Sequence, residues 1–287
     1  MRLLLPLPGN EGFADRLARA GGGAVGALRS RQFPDGESYV RIEADVVGRI
    51  VDLVCTLAQP DAAFLRLAFA ADALRDLGAT QVNLIAPYLG YLRQDARFLP
   101  GEAITSRTFA RLLGGVVDRI VTVDPHLHRY RALESLYAIP CQTLHAAPLL
   151  ADWIKGEVPA PLIIGPDSES RQWVAAVADR VGAPHVVMAK QRFGDREVRV
   201  DLPDLSAHRG RQAVLIDDIA ASGRTLAAAA KALALRGFVS PVCVVVHAVF
   251  GQDALAHLET VTGRIVSTDS IAHPTNAIGL APLFVGP

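Results

Sequence analysis

The sequence is short of cysteine, with 3 in 287 residues, which excludes a small fold stapled by several disulfides. Net charge is missing as well: 29 Lys and Arg stand against 29 Asp and Glu. A protein that grips nucleic acid regardless of sequence carries a basic excess to displace counterions from phosphate, so nucleic acid is not an expected partner. Any anionic ligand must be held locally. Long apolar runs are absent too: none approaches the roughly 20 residues that cross a bilayer. The opening MRLLLPLPGNEG is interrupted at Pro6 and Pro8 before a secretory core could form. The expectation is a soluble, cytoplasmic protein with no membrane partner.

What the chain does have is 51% hydrophobic and 20% charged residues, which suits a large core and excludes a disordered or collagen-like polymer. At roughly 150 residues per domain, two domains are expected. Strand-length apolar runs recur at residues 3–5, 50–57, 82–88, 119–124, 161–167, 184–190, 213–218 and 241–249. Between many of them lie stretches with helical apolar spacing, such as FLRLAFAADALRDLGA, TSRTFARLLGG, SRQWVAAVADRVGA and RTLAAAAKALALRGF, several closed by a glycine. Continuous Val/Ile/Leu runs alternating with helices predict parallel sheets covered on both faces. Cys55 and Cys243 fall in such runs and, with Cys141, read as reduced core residues.

The pattern occurs twice. TVDPH, after the TSRTFARLL helix, is set beside LIDDI, before the RTLAAAAKAL helix, as signs of two related α/β units. The Pro-rich KGEVPAPL is the linker candidate, which gives domains 1–150 and 151–287.

AVLIDDIAASGRTLAAAAKAL is the sharpest local signal: a buried strand, two acids at its end, a turn of small residues, and a helix opening at about Thr225. Ligands collect at the carboxyl ends of parallel strands, and a helix N-terminus is a ready anion site. Ala220, Ala221, Ser222 and Gly223 let backbone approach a phosphate, Ser222 and Thr225 add hydroxyls, and Asp217 and Asp218 suit sugar hydroxyls. A helix capped by Ser222 or Asp218, with solvated acids, is the other reading left open.

VLIDDIAASGRT resembles the phosphoribosyl-pyrophosphate motif of the type I phosphoribosyltransferase fold. FPDGESYVRI (33–42), PYLGYLRQDARF (87–98), GEAITSRTFARLL (101–113), VTVDPH (121–126), GPD (165–167), KQR (190–192) and STDSI (267–271) are similar, in order, to the ribose-phosphate pyrophosphokinase family, closest to its short archaeal-type branch. The resemblance spans nearly the whole chain and implies two tandem phosphoribosyltransferase-like domains, each a mainly parallel sheet flanked by helices. It implies transfer of the diphosphoryl group of ATP to the 1-hydroxyl of ribose 5-phosphate, with Mg²⁺, in a dimer-based homo-oligomer.

Carried over residue by residue, the resemblance gives Phe33 as a stacking surface and Asp35 and Glu37 as adenine contacts, on a loop that in the family usually serves a neighbouring subunit. Arg93, Gln94 and Asp95 become nucleotide contacts. His126 supports the metal–nucleotide complex, with His128 in reserve, and Asp167 is a second metal ligand. Lys190 and Arg192 are the catalytic cations, on a stretch, QRFGDREVRVDLPD, read as a mobile loop. Asp217, Asp218, Ala221, Ser222, Gly223, Arg224 and Thr225 take ribose 5-phosphate. The last strand is expected to pack on the N-terminal domain.

Three departures stand out. Longer members carry Asp-Thr where Ala221 and Ser222 stand, a glycine in place of Arg224, and often glycines where Ser168-Glu169-Ser170 follow Asp167. Two other functions remain open: a nucleobase-salvage phosphoribosyltransferase and a catalytically silent regulatory homologue.

Overall fold

Buried both-face strands dominate the computed structural model, which describes residues 2–167, 170–193, 197–251 and 253–285, with backbone alone at 172, 190–193 and 197–201. The chain divides into two units, Met1–His145 with Leu280–Pro287, and Ala146–Gly279.

The first unit runs β1 (Leu3–Pro6), α1 (Glu11–Arg19), β2 (Ala24–Val25), β3 (Leu28–Gln32), β4 (Ser38–Ile42), β5 (Ile50–Val54), α2 (Pro60–Asp76), β6 (Gln81–Ala86), α3 (Thr105–Gly114), β7 (Arg119–Val123) and β8 (Cys141–Leu144). Six strands form a parallel sheet in the order β2-β1-β5-β6-β7-β8, and β3 and β4 form a separate antiparallel hairpin. Leu3, Leu5, Val51, Leu53, Val82 and Leu84 share one core with Leu67 and Leu74 of α2 and Phe109 and Leu113 of α3. Covered on both faces, these strands have no polar alternation, which made them legible as runs.

The second unit runs α4 (Ala147–Glu157), β9 (Pro161–Gly165), α5 (Arg171–Val181), β10 (His185–Val187), β11 (Ala189–Phe193), β12 (Glu197–Asp201), β13 (Gln212–Ala220), α6 (Arg224–Ala234), β14 (Val242–Ala248), α7 (Ala254–Glu259), β15 (Arg264–Thr268) and β16 (Asn276–Ile278). Its parallel sheet has the order β10-β9-β13-β14-β15-β16, beside an antiparallel β11–β12 pair. Gly182, at φ 74°, ends α5 in the left-handed conformation that glycine adopts without steric cost.

The two units share one plan. Strand order is the same, and each inserts its antiparallel pair between the second and third strands of the sheet. This alters the expected repeat. The counterpart of β13, with its two acids, is β5, and the counterpart of β7, which precedes Asp124, is β15, which precedes Asp269. The two acidic strand ends of the sequence reading therefore occupy different places in their sheets.

Three further expectations are corrected. KGEVPAPL is not a boundary but the end of α4 and the entry to β9, inside the second unit; Pro161 stands at a strand start, where its missing N–H is tolerated. The stretch after Lys190, expected as a loop, pairs over its described residues 191–193 and 197–201 as antiparallel strands: Glu-Val-Arg-Val-Asp alternates with the period of a strand, a signal outweighed by its charge. The last strand, β16, pairs with β15 in the second sheet. What joins the first unit is a short 3-10 turn, Ala281–Phe284, whose Phe284 ring meets Phe13 of α1 edge-on at 5.5 Å.

Cys55, Cys141 and Cys243 are free thiols. Burial pushes Cys55 up to about 12, and burial with the charge of Glu134 pushes Cys141 up to about 11, so both stay protonated and inert.

Candidate active site

In the second unit, the neighbouring strands β9 and β13 bring acids together at their carboxyl ends. Val214, Leu215 and Ile216 are fully buried, and the chain then turns polar at Asp217 and Asp218. Asp217 Oδ1 accepts the Asp218 N–H at 3.0 Å, and Asp218 Oδ1 accepts the Ile219 N–H at 2.8 Å. Burial raises the Asp217 carboxyl well above its ordinary range, and the negative charges of Asp218 and Asp167 raise it further. Asp167 follows β9, and its carbonyl accepts the Ser170 hydroxyl at 2.7 Å. Ser168 and Glu169, which depart from the glycines often found there in the family that the sequence resembles, lie outside the described residues.

Between β13 and α6 the backbone turns sharply. Gly223, at φ 66°, is the N-cap of α6 and supplies no side-chain cap. Ser222 Oγ accepts only a long bond, 3.4 Å, from the Arg224 N–H, so the capping reading is weakly supported. A Cβ on Gly223 would stand 3.4 Å from the Ala254 carbonyl, and the Gly251 N–H bonds the Ala221 carbonyl at 3.0 Å. The turn is thus braced from the β14–α7 side, while Ser222 and Arg224 are exposed. A first helical turn directs backbone N–H groups toward such a turn, which favours an anion there.

Lys190 and Arg192 lie on β11, opposite Val200 and Val198 of β12. Residues 194–196, between those two strands in sequence, lie outside the described residues.

In the first unit, Asp124 follows β7 with φ 34°, an unusual value for a residue with a side chain. Its N–H bonds the Leu144 carbonyl at 3.0 Å, and its Oδ1 lies 2.9 Å from His145 Nδ1. That bond raises the His145 pKa, against the lowering effect of burial. The His126 and His128 rings meet edge-on at 3.8 Å.

The RQD segment is tied to this loop. Arg129 Nη1 lies 2.6 Å from Asp95 Oδ1, and the same guanidinium sits 5.1 Å over the Phe98 ring. Ser106, in the first turn of α3, bonds Tyr130 through its hydroxyl at 3.0 Å and the Gln94 carbonyl through its N–H at 3.3 Å. Glu102 accepts the Phe98 and Leu99 N–H groups at 2.8 and 3.0 Å. Arg93 is exposed and Gln94 half-buried, whereas the Asp95 carboxylate is buried and engaged by Arg129.

The third predicted segment forms the tip of the β3–β4 hairpin. The Phe33 N–H bonds the Glu37 carbonyl at 2.8 Å, and Asp35 Oδ1 accepts the Glu37 N–H at 3.1 Å. Arg31 lies 4.3 Å from the Phe33 ring centroid and 4.6 Å from that of Tyr39. Phe33 is 38% exposed, a ring held firmly yet open to solvent.

Sequence reasoning missed Arg129, His145, Arg31 and Tyr39. Arg31 and Tyr39 flank FPDGE in an alternating strand pattern, a signal that was readable; the partners of Arg129 and His145 lie 34 and 21 residues away and left no local mark. Among the described residues, no helix is long and apolar enough to cross a membrane.

Comparison with known proteins matches residues 3–116 to a family model described as the N-terminal domain of ribose phosphate pyrophosphokinase. Residues 134–275 match the phosphoribosyl transferase domain. The chain is 34% identical over 259 residues to ribose-phosphate pyrophosphokinase of Methanothermobacter thermautotrophicus, covering 90% of this chain and 89% of that one. It is 31% identical over 279 residues to the Methanosarcina acetivorans protein of that name, covering 96% and 95%. The crystal structure of phosphoribosylpyrophosphate synthetase from Mycobacterium smegmatis superposes with a TM-score of 0.82 at 26% identity, covering 98% of this chain and 95% of that one. With both sheets, the acidic strand end and the small-residue turn in place, the chain belongs to the ribose-phosphate pyrophosphokinase family of enzymes.

Proposed function

We propose that this protein transfers the β,γ-diphosphoryl group of ATP to the 1-hydroxyl of ribose 5-phosphate, giving 5-phosphoribosyl 1-pyrophosphate and AMP for nucleotide biosynthesis. The observation that carries the reading is the convergence of Asp217, Asp218 and Asp167 at the carboxyl ends of β9 and β13, beside the Gly223 turn. Asp217 and Asp218 accept hydrogen bonds from the ribose hydroxyls. The turn from Ala221 to Thr225 and the first amides of α6 hold the 5-phosphate.

The chemistry of this donor set fits Mg²⁺. Clustered carboxylate oxygens are the hard ligands that the ion prefers, and the charges of Asp218 and Asp167 act close enough to Asp217 to add to the upward shift that burial gives its carboxyl. Asp167 would hold the ion in the second unit, and His126 would support the metal–nucleotide complex in the first. When bound, Mg²⁺ neutralises charge on the polyphosphate.

Phe33, Asp35 and Glu37 receive the adenine, and Arg93 and Gln94 bind the nucleotide. Asp95, held by Arg129, positions that segment. The 1-hydroxyl of ribose attacks the β-phosphorus in line and gives its proton to water; the bond from that phosphorus to the α,β-bridging oxygen breaks, and AMP leaves with the oxygen. Lys190 and Arg192 stabilise charge on the transferred group and the departing AMP, the main contribution that phosphoryl transfer asks of a protein. The working form is a dimer-based homo-oligomer in the cytoplasm.

Phosphorus NMR on the protein with ATP, Mg²⁺ and ribose 5-phosphate tests the proposal. Formation of phosphoribosyl pyrophosphate without any nucleobase is expected. No turnover of this mixture, but nucleotide and pyrophosphate formed when phosphoribosyl pyrophosphate and a nucleobase are supplied instead, would indicate a phosphoribosyltransferase, and no turnover of either mixture a silent homologue.

A further inference from the structure

The duplicated plan supplies an internal control for one residue. In the first unit Val123 of β7 stands opposite Leu144 of β8; in the second, Thr268 of β15 stands opposite Ile278 of β16. In both, an aspartate follows the inner strand and its N–H bonds the last carbonyl of the edge strand: Asp124 to Leu144 at 3.0 Å, Asp269 to Ile278 at 2.9 Å. The next residue along the edge strand is His145 in one case and Gly279 in the other.

The two positions face equivalent carboxylates. His145 Nδ1 is 2.9 Å from Asp124 Oδ1, and a Cβ built on Gly279 would come within 3.9 Å of Asp269 Oδ2. The second unit closes this sheet edge with no side chain at all, so the architecture does not call for an imidazole. Asp124, but not Asp269, also has a positive φ, backbone strain of the sort that collects at ligand sites. The Asp124 side chain is 8% exposed and that of His145 70%. An anchored carboxylate therefore presents an open ring at the carboxyl end of a parallel sheet, where ligands gather.

We propose that His145 is a phosphate-contact residue of the first unit, Asp124 holding its Nδ1–H so that Nε2–H donates to a phosphate oxygen of the bound nucleotide. The raised pKa of His145 is consistent with a ring that carries both protons. The assignment rests on the reading that the first unit binds ATP.

His145→Gly reproduces the edge already built in the second unit, and His145→Lys keeps a cation at the site. For the glycine variant, KM for ATP is expected to rise about tenfold, the size of one charge-assisted hydrogen bond. KM for ribose 5-phosphate and the melting temperature should not move, and the lysine variant should recover most of the loss. An unchanged KM for ATP, an equal rise in both KM values, or a lowered melting temperature that the lysine variant shares would overturn the assignment. Active wild-type protein with an indifferent glycine variant refutes His145 alone, whereas wild-type protein that turns over no ATP refutes the nucleotide reading as well.

Discussion

Arg129 reaches back to Asp95 and places Nη1 2.6 Å from its Oδ1, joining the segment that carries Arg93 and Gln94 to the loop that carries His126. The Asp95 side chain is only 2% exposed, so loss of the guanidinium leaves a carboxylate that water reaches poorly. Arg129→Met is expected to cost about 2 kcal/mol, less than a fully buried pair because Arg129 is itself half in solvent. Urea denaturation measures the loss, and KM for ATP should rise with it.

A second buried carboxylate serves the sheet rather than the site. Asp52, in the middle of β5, is fully buried; it accepts bonds from Arg2 Nε at 2.6 Å and Asn83 Nδ2 at 2.9 Å. Asp52→Ala strands the Asn83 amide in the interior and should cost about 3 kcal/mol. The thermal midpoint should fall, while KM for both substrates stays at its wild-type value in the protein that remains folded.

For Asp217 the pH dependence has a definite sign. Its carboxyl is raised in the folded protein by burial and by Asp218 and Asp167, so the folded state binds the proton more tightly than the unfolded one. Its contribution to stability is present below the ordinary carboxylate range and is lost as pH rises through the raised value. Asp217→Asn removes that loss: metal-free variant protein should be more stable than wild type at neutral pH and should show a flatter stability profile. Added Mg²⁺ should stabilise wild type more than the variant, and the variant should lose at least tenfold in activity.

Phe33 offers an exposed ring braced by Arg31. Stacking of a base on an aromatic ring is worth about 1–3 kcal/mol, so Phe33→Ala should raise KM for ATP about tenfold or more. Steady-state kinetics check this, with KM for ribose 5-phosphate as the control. Because the ring lies at a hairpin tip, the melting temperature should hardly change.

Legibility in the sequence followed the range of the forces involved. Strands such as β5, β6 and β14 were visible because burial on both faces leaves a continuous apolar run. β2, at Ala24–Val25, and β16, at Asn276–Ile278, are edge strands too short to print a pattern. The acids and turn around Asp217 and Gly223 were readable because one strand, one turn and one helix N-terminus carry them in sequence. The Asp124–His145 and Asp95–Arg129 pairs were not, since their geometry is set by sheet order and loop packing. The repeat was sensed but mispaired: the acid of β7 matches Asp269, while the β13 turn has as its counterpart Cys55-Thr56-Leu57 and the Pro60 start of α2, which carry neither the acids nor the glycine.

ATP labelled at the β-phosphorus tests the central claim most directly. Incubated with the protein, Mg²⁺ and ribose 5-phosphate, the label should pass to the pentose product, with one AMP released for each molecule labelled. Label retained in ADP, which would mean transfer of the γ-phosphoryl group alone, would contradict it.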